Sequence, residues 1–260
     1  MKVGYCQYDV KHGDIDHNIV TVKTLLKDTH ADLIVLPELA FTGYFFENKQ
    51  ALVKLSSYTN QAKIVDALTA IAKTEDVTIF AGMAELKGNR LYNSVFVIDH
   101  TGIIGKHRKI NLTDNETIFD VGDRLELVTV KNIKVGITIC FETWFPESFR
   151  ILSDLGADLI VAPSNFGGPW TIDVVKVRAL ENCIPVIMCN RIGEEMIHGE
   201  PSAFCGNSEI IDQYGNVLVQ SGNKPSVEVI EMDFSLPSRD EALISKSMRY
   251  ERQKYDKLKR

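Results

Sequence analysis

The sequence predicts an α/β fold made of two similar β-α-β halves. Two observations carry this. Short apolar runs alternate with amphipathic stretches, the pattern of strands interleaved with helices. The chain also echoes itself. Lys2-Val3-Gly4 is followed by Ala31-Asp32-Leu33-Ile34-Val35-Leu36-Pro37, and Lys134-Val135-Gly136 by Ala157-Asp158-Leu159-Ile160-Val161-Ala162-Pro163. Each copy reads strand, helix, strand, proline. Two copies would build two similar sheets or half-sheets; the competing explanation is that Val/Ile/Leu-rich runs simply recur in parallel strands.

The elements follow in order. Residues 3–7 read as a first strand. Ile15, Ile19, Val22 and Leu26 recur at helical spacing. Residues 33–36 form a short buried strand, and Ile64, Leu68 and Ile71 mark a second helix. Strands are expected at 77–83, 91–99 and 103–106, the last two joined as an antiparallel hairpin through His100-Thr101-Gly102. In the second half a strand at 134–139 leads into a helix opened by Phe145-Pro146-Glu147, with Phe149, Leu152 and Leu155 on one face. No Ser/Gly/Pro-rich linker interrupts the chain, so one domain is expected over 1–260, with a C-terminal tail from about residue 234. That tail is basic (Arg249, Arg252, Lys254, Lys257, Lys259, Arg260), as a solvated or partner-contacting segment would be.

Composition narrows the function. Of 260 residues, 45% are hydrophobic and 25% charged, ordinary for a globular protein. The net charge of −6 argues against a nucleic-acid partner, which usually meets a basic face. No apolar run approaches the roughly 18 residues of a membrane span, and Met1 to Val10 has no signal-peptide pattern. The five cysteines, Cys6, Cys140, Cys183, Cys189 and Cys205, match no zinc or redox spacing, so free thiols in a reducing, cytoplasmic compartment are expected. The histidines form no metal spacing, and no dinucleotide, P-loop or zinc-protease motif is present; neither a metal nor an organic cofactor is expected.

The echo locates candidate chemistry. Ligands of parallel β-α-β units sit beyond the carboxyl ends of the strands. Glu38 follows the 33–36 strand, Cys140 ends the 134–139 strand, and Ser164 and Asn165 follow the strand at 159–161, so all should face one crevice. Cys140 on a strand-to-helix turn would lie near backbone N–H groups and a positive helix end, which lower a thiol pKa and supply oxyanion donors. By position alone Cys140 reads equally well as a buried structural cysteine. Glu38 reads as a surface residue or a base, and Lys109, in Lys106-His107-Arg108-Lys109, as part of a solvated basic cluster.

Taken together, Leu36-Pro37-Glu38-Leu39 with Thr42-Gly43-Tyr44, Gly105-Lys106-His107-Arg108-Lys109-Ile110-Asn111-Leu112, and Gly136-Ile137-Thr138-Ile139-Cys140-Phe141-Glu142 with Phe145-Pro146-Glu147 resemble the three core motifs of the nitrilase superfamily of carbon–nitrogen hydrolases, in family order. Arg178-Ala179-Leu180-Glu181-Asn182 and Asn190-Arg191-Ile192-Gly193 extend the resemblance, which runs from Lys2 to about Asp233. It implies a four-layer α-β-β-α sandwich of two mixed sheets with pseudo-twofold duplicated halves. It implies Glu38 as general base, Cys140 as nucleophile, and Lys109 with the Phe141 N–H as oxyanion stabilisers. Glu116 best matches the family's second glutamate, which orients the lysine and helps position the leaving group. A homodimer or larger homo-oligomer, paired through helices near 145–155 and 172–182, is also implied.

Two departures stand out. Val121-Gly122-Asp123 replaces the family's Pro-Gly-Asp, and the region after Asp233 matches only loosely. Phe41, Tyr44, Phe141, Trp144, Phe166 and Trp170 lie next to the motifs and could cup a short substrate; Tyr44, Phe141, Trp144, Asn165 and Phe166 are the candidate substrate contacts. The expected partner is a small amide or N-carbamoyl compound. An aliphatic nitrilase, or a non-catalytic binding protein on the same fold, are the alternatives.

Overall fold

The computed structural model describes residues 1–197, 199–234, 251–252 and 254–255. Most of the expected tail therefore lies outside the described residues. The elements are β1 (Lys2–Gln7), α1 (Ile15–Leu25), β2 (Leu33–Val35), α2 (Lys49–Leu55), α3 (Tyr58–Glu75), β3 (Thr78–Lys87), β4 (Arg90–Asp99) and β5 (Gly102–Arg108) in the first half. Then come β6 (Leu127–Val130), β7 (Ile133–Ile137), α4 (Pro146–Leu155), β8 (Leu159–Ser164), α5 (Trp170–Asn182), β9 (Val186–Asn190), β10 (Glu194–Ile197), β11 (Glu200–Ala203), β12 (Glu209–Ile211), β13 (Val217–Gln220) and β14 (Ser226–Glu231).

Among the described residues two six-stranded sheets form, ordered β14-β1-β2-β3-β4-β5 and β6-β7-β8-β9-β12-β13. Three parallel strands sit at the centre of each, β1-β2-β3 and β7-β8-β9, with antiparallel strands outside. The two sheets thus share one strand arrangement, although the edge strand beside β1 is β14, from the end of the second half, and the one beside β7 is the directly preceding β6. The echo has a physical basis that reaches single hydrogen bonds. The Asp32 carboxylate accepts from the Lys2 N–H at 2.7 Å, and the Asp158 carboxylate accepts from the Lys134 N–H at 2.8 Å. Each aspartate fixes the start of the parallel pair beside it, Val3 against Leu33 and Val135 against Leu159.

The sheets pack face to face with helices outside, which makes the central strands apolar on both faces. Along β1, Val3 and Tyr5 point into the core shared with the second sheet, and Cys6 into the core under α1 and α3. Along β2, Leu33 and Val35 face one way, Ile34 and Leu36 the other. Helix α1 buries Ile15 and Val22, and α3 buries Ile64, Leu68 and Ile71. Asp14 caps α1 by accepting from the His17 N–H at 3.0 Å.

Several expectations are corrected. Helix α2 is short and buries only Leu52, too little to show a period. Strand β3 runs past Met83 to Lys87, because buried Glu85 interrupts the apolar pattern but is held by Lys106, Arg108 and Ser94. Those two cations, with His107 on Glu142, also overturn the reading of residues 106–109 as a solvated cluster. Strand β7 ends at Ile137, and a 3-10 turn, Cys140–Trp144, precedes α4. Leu155 is half-exposed rather than on the inner face, since α4 ends there on the left-handed Gly156. Cys183 is the left-handed cap of α5.

Candidate active site

Glu38 leaves the end of β2 in a turn locked against β3: the Ala40 N–H donates to the Gly82 carbonyl at 2.9 Å. Residue 82 has to be glycine for this turn to sit there. A Cβ on it would lie 2.3 Å from the Pro37 carbonyl and 2.6 Å from the Glu38 Cα. Lys109 follows β5, its N–H donating to Asn93 and its carbonyl accepting from Gly122, both at 2.8 Å. A Cβ on Gly122 would fall 2.1 Å from the Arg108 carbonyl, so the glycine of Val121-Gly122-Asp123 is required where the preceding valine is not. Glu116 stands on a 3-10 turn, Asp114–Glu116, where its carboxylate accepts from the Thr113 N–H at 3.0 Å.

These side chains meet. Lys109 Nζ donates to Glu38 Oε1 at 2.7 Å and to both Glu116 oxygens at 2.7 and 2.9 Å. Asn93 Nδ2 bridges the same two carboxylates, at 2.7 Å to Glu38 and 2.8 Å to Glu116. All four residues are buried. Glu38 Oε2 has no hydrogen-bond partner. Burial pushes the Glu38 carboxyl up, and the Glu116 charge adds to this against the opposing Lys109 ammonium. Burial alone would lower the Lys109 ammonium, but the Glu38 and Glu116 carboxylates beside it outweigh this and hold it well above the ordinary lysine range.

Cys140 opens the 3-10 turn with φ of 47°, a left-handed backbone that a non-glycine residue adopts only when its surroundings impose it. Glu142 imposes it. Its carboxylate accepts from the N–H of Ile139 and of Ile110, each at 2.7 Å, and from His107 Nε2 at 2.9 Å. One buried side chain thus ties the cysteine turn to the loop that carries Lys109. His107 and the two N–H groups hold the Glu142 carboxyl below the ordinary range in spite of burial.

The expected lowering of the Cys140 thiol is corrected. Burial pushes it well above the ordinary cysteine value, and the Glu38 charge pushes it further. The resting sulfur is therefore a neutral thiol beside a carboxyl that is itself raised.

A pocket of about 270 Å³ opens over Cys140. All five expected substrate contacts, Tyr44, Phe141, Trp144, Asn165 and Phe166, line it. Trp170 lies at its edge and is largely exposed. Phe41 does not reach it; the ring packs in the core beneath α1 and α3. Ser164 does not reach it either, and its hydroxyl donates to the Ala162 carbonyl at 3.0 Å. Phe45, Asn115 and Phe204 line the pocket but were not expected there. Asn93 and Glu142 were also missed. The signal for Asn93 is a polar residue inside the apolar run of β4, and the signal for Glu142 is its place in the cysteine motif itself. No group of His, Cys, Asp and Glu among the described residues could hold a metal ion.

Residues 2–240 match the family described as carbon-nitrogen hydrolase. The chain is 36% identical over 244 residues to a nitrilase of Pyrococcus abyssi, covering 91% of each chain. It is 30% identical over 241 residues to an (R)-stereoselective amidase of a Pseudomonas species, covering 90% of this chain and 85% of that one. Among solved structures, an amidase from Nesterenkonia sp. AN1, carrying the Michael adduct of acrylamide at its active-site cysteine, superposes with a TM-score of 0.83. It covers 98% of this chain and 99% of its own at 20% identity, so that likeness speaks to the fold.

Proposed function

Because the chain belongs to the carbon–nitrogen hydrolase family, we propose that it hydrolyses a small amide or N-carbamoyl compound through a thioester on Cys140. The observation that carries this reading is the buried Lys109 side chain, bridging Glu38 and Glu116 next to Cys140 under the aromatic pocket. An amide is a poor electrophile, and attack on it builds negative charge on its oxygen. Glu38 takes the Cys140 proton as Sγ bonds to the carbonyl carbon. Lys109 Nζ and the Phe141 N–H, in the first turn after the cysteine, meet the developing oxyanion. Glu38 then delivers the proton to the leaving nitrogen; the C–N bond breaks, and ammonia or an amine departs. Water, deprotonated by Glu38, attacks the thioester, and the thiolate is expelled and regains its proton. Glu116 and Asn93 hold Lys109 and Glu38 in place throughout.

The nitrilase reading has one specific support, the 36% identity to a protein of that name. Both chemistries pass through a thioester and can end in acid and ammonia, so the substrate distinguishes them. A short amide or carbamoyl compound is expected to turn over faster than its matched nitrile, measured as ammonia release. A nitrile ahead by tenfold or more in kcat/KM, about 1.4 kcal/mol, overturns the amidase reading in favour of the nitrilase.

The protein is also proposed to be a homodimer or larger homo-oligomer. Helices α4 and α5 expose Ile151, Leu155, Val177 and Leu180, with Trp144 beside them, a run of apolar side chains that suits a second copy. At micromolar protein, light scattering should give at least twice the mass of one chain; a clean monomer overturns the dimer. A reducing, cytoplasmic setting completes the proposal, since a nucleophilic thiol and four other free cysteines suit one.

A further inference from the structure

The Asn190-Arg191-Ile192-Gly193 segment has no part in the chemistry above, yet it carries one of the largest fully buried side chains, Arg191. Its guanidinium pairs with Glu195, which is also buried. The Glu195 carboxylate reaches across to the first half of the chain. It accepts from the Tyr44 N–H at 2.9 Å and from the Phe45 N–H at 2.8 Å. Arg191 Nη2 donates to the Val10 carbonyl at 2.7 Å, and Cζ lies 4.2 Å from the Phe204 ring centroid. Tyr44, Phe45 and Phe204 pack on one another, with Phe45 and Phe204 stacked at 6.0 Å between centroids. All three line the pocket over Cys140, while Arg191 and Glu195 do not.

We propose that Arg191 and Glu195 are positioning residues that set the aromatic wall of the pocket and so select substrates by the bulk lying against that wall. The geometry gives the reason. The N–H groups of residues 44 and 45 are both held by one carboxylate, with His12 on the Phe45 carbonyl; that carboxylate is fixed by one guanidinium, and the same guanidinium supports the third ring from behind. A carboxylate accepting two backbone N–H groups and an arginine is a strong, directional anchor. Its loss lets the loop drift, which changes the fit of a substrate that touches the rings far more than one too small to reach them. No step of bond making involves either residue.

The inference rests on the amidase reading, and its test separates the two. Glu195→Gln keeps an acceptor for the two N–H groups but loses the charge that holds Arg191. With a graded series of amides, from the smallest accepted to ones bearing an aromatic group, the variant is expected to raise KM for the bulky members by about tenfold or more, the scale of a misfitted hydrophobic pocket. Turnover of the smallest amide should stay within about threefold. Gly43→Ala provides a second route that leaves the ion pair unmutated. At φ of 86° the added Cβ would strain the backbone and meet His12 Cδ2 at 2.7 Å and Glu195 Oε1 at 2.8 Å, displacing the same loop, so the same size-dependent split is expected. An equal loss across the whole series, or no loss in either variant, overturns the wall-setting role. A wild-type protein that turns over no member of the series overturns the amidase reading instead.

Discussion

Cys140→Ala is expected to lower turnover by about ten-thousandfold or more, the scale of losing a nucleophile from a residue set that acts as a unit, while leaving the fold in place. The argument is positional. Cys140 is buried among Glu38, Lys109 and Glu116, all of whose charges act on its sulfur, and it lies at the base of the aromatic pocket. None of the other cysteines is so placed. Cys6 and Cys189 are buried in β1 and β9, and burial pushes both thiols up. Cys183 caps α5, and Cys205 contacts the Asn190 side chain. Alanine keeps a Cβ there, and the turn stays pinned by Glu142 on the Ile139 N–H and by the Thr143 hydroxyl on the residue-140 carbonyl, so it should survive. Cys140→Ser should retain the geometry and still lose most of the rate, since a hydroxyl ionises far less readily than a thiol and this site already disfavours the anion. Circular dichroism with ammonia release checks both variants. Wild-type rates in Cys140→Ala, or loss of turnover in Cys6→Ala or Cys189→Ala with the fold kept, would sink the assignment.

Much of this was legible in the sequence, for identifiable physical reasons. The duplicated halves show because the same demand, a parallel strand pair fixed by an aspartate, is met twice by the same residues, Asp32 and Asp158. Glu38 and Cys140 stand out because a polar or reactive residue directly follows an apolar strand. What stayed hidden depends on contacts distant in sequence. Nothing near Glu195 shows that it holds Tyr44, and nothing near Asn93 shows that it bridges Glu38 and Glu116. The thiol is the instructive miss. Position on a strand-to-helix turn argues for a lowered pKa. Full burial beside a carboxylate reverses the sign, and burial depends on how the two sheets close over the turn.

That reversal makes Glu38→Gln the sharper test of mechanism, and its expected outcome is a trapped thioester on Cys140. Glutamine can keep the Oε1 acceptor for Lys109 and Asn93, and Lys109 retains Glu116 as its counter-ion, so the site should stay folded. The substitution removes one of the charges that push the Cys140 thiol up, so the sulfur ionises more easily than in the wild type. An ordinary amide then lacks the proton its nitrogen needs to leave, but attack on an activated acyl donor whose leaving group departs unprotonated, such as a p-nitrophenyl ester, can proceed from the thiolate without Glu38. Hydrolysis of the thioester cannot, because an amide side chain takes no proton from water. Acylation therefore outlasts deacylation, and multiple turnover should fall by about a thousandfold, within the range for general-base catalysis. Intact-protein mass spectrometry should show the mass of the acyl group, and peptide mapping should place it on Cys140. The pH dependence supplies a second reading. The base works only when ionised, and burial raises its pKa, so wild-type kcat/KM should fall on acidification at a higher pH than an ordinary glutamate would give. In Glu38→Gln that limb should vanish, and single-turnover acylation should instead climb with pH as the thiol ionises. An adduct on another cysteine, or an unchanged acid limb in the variant, would remove Glu38 from the role assigned to it.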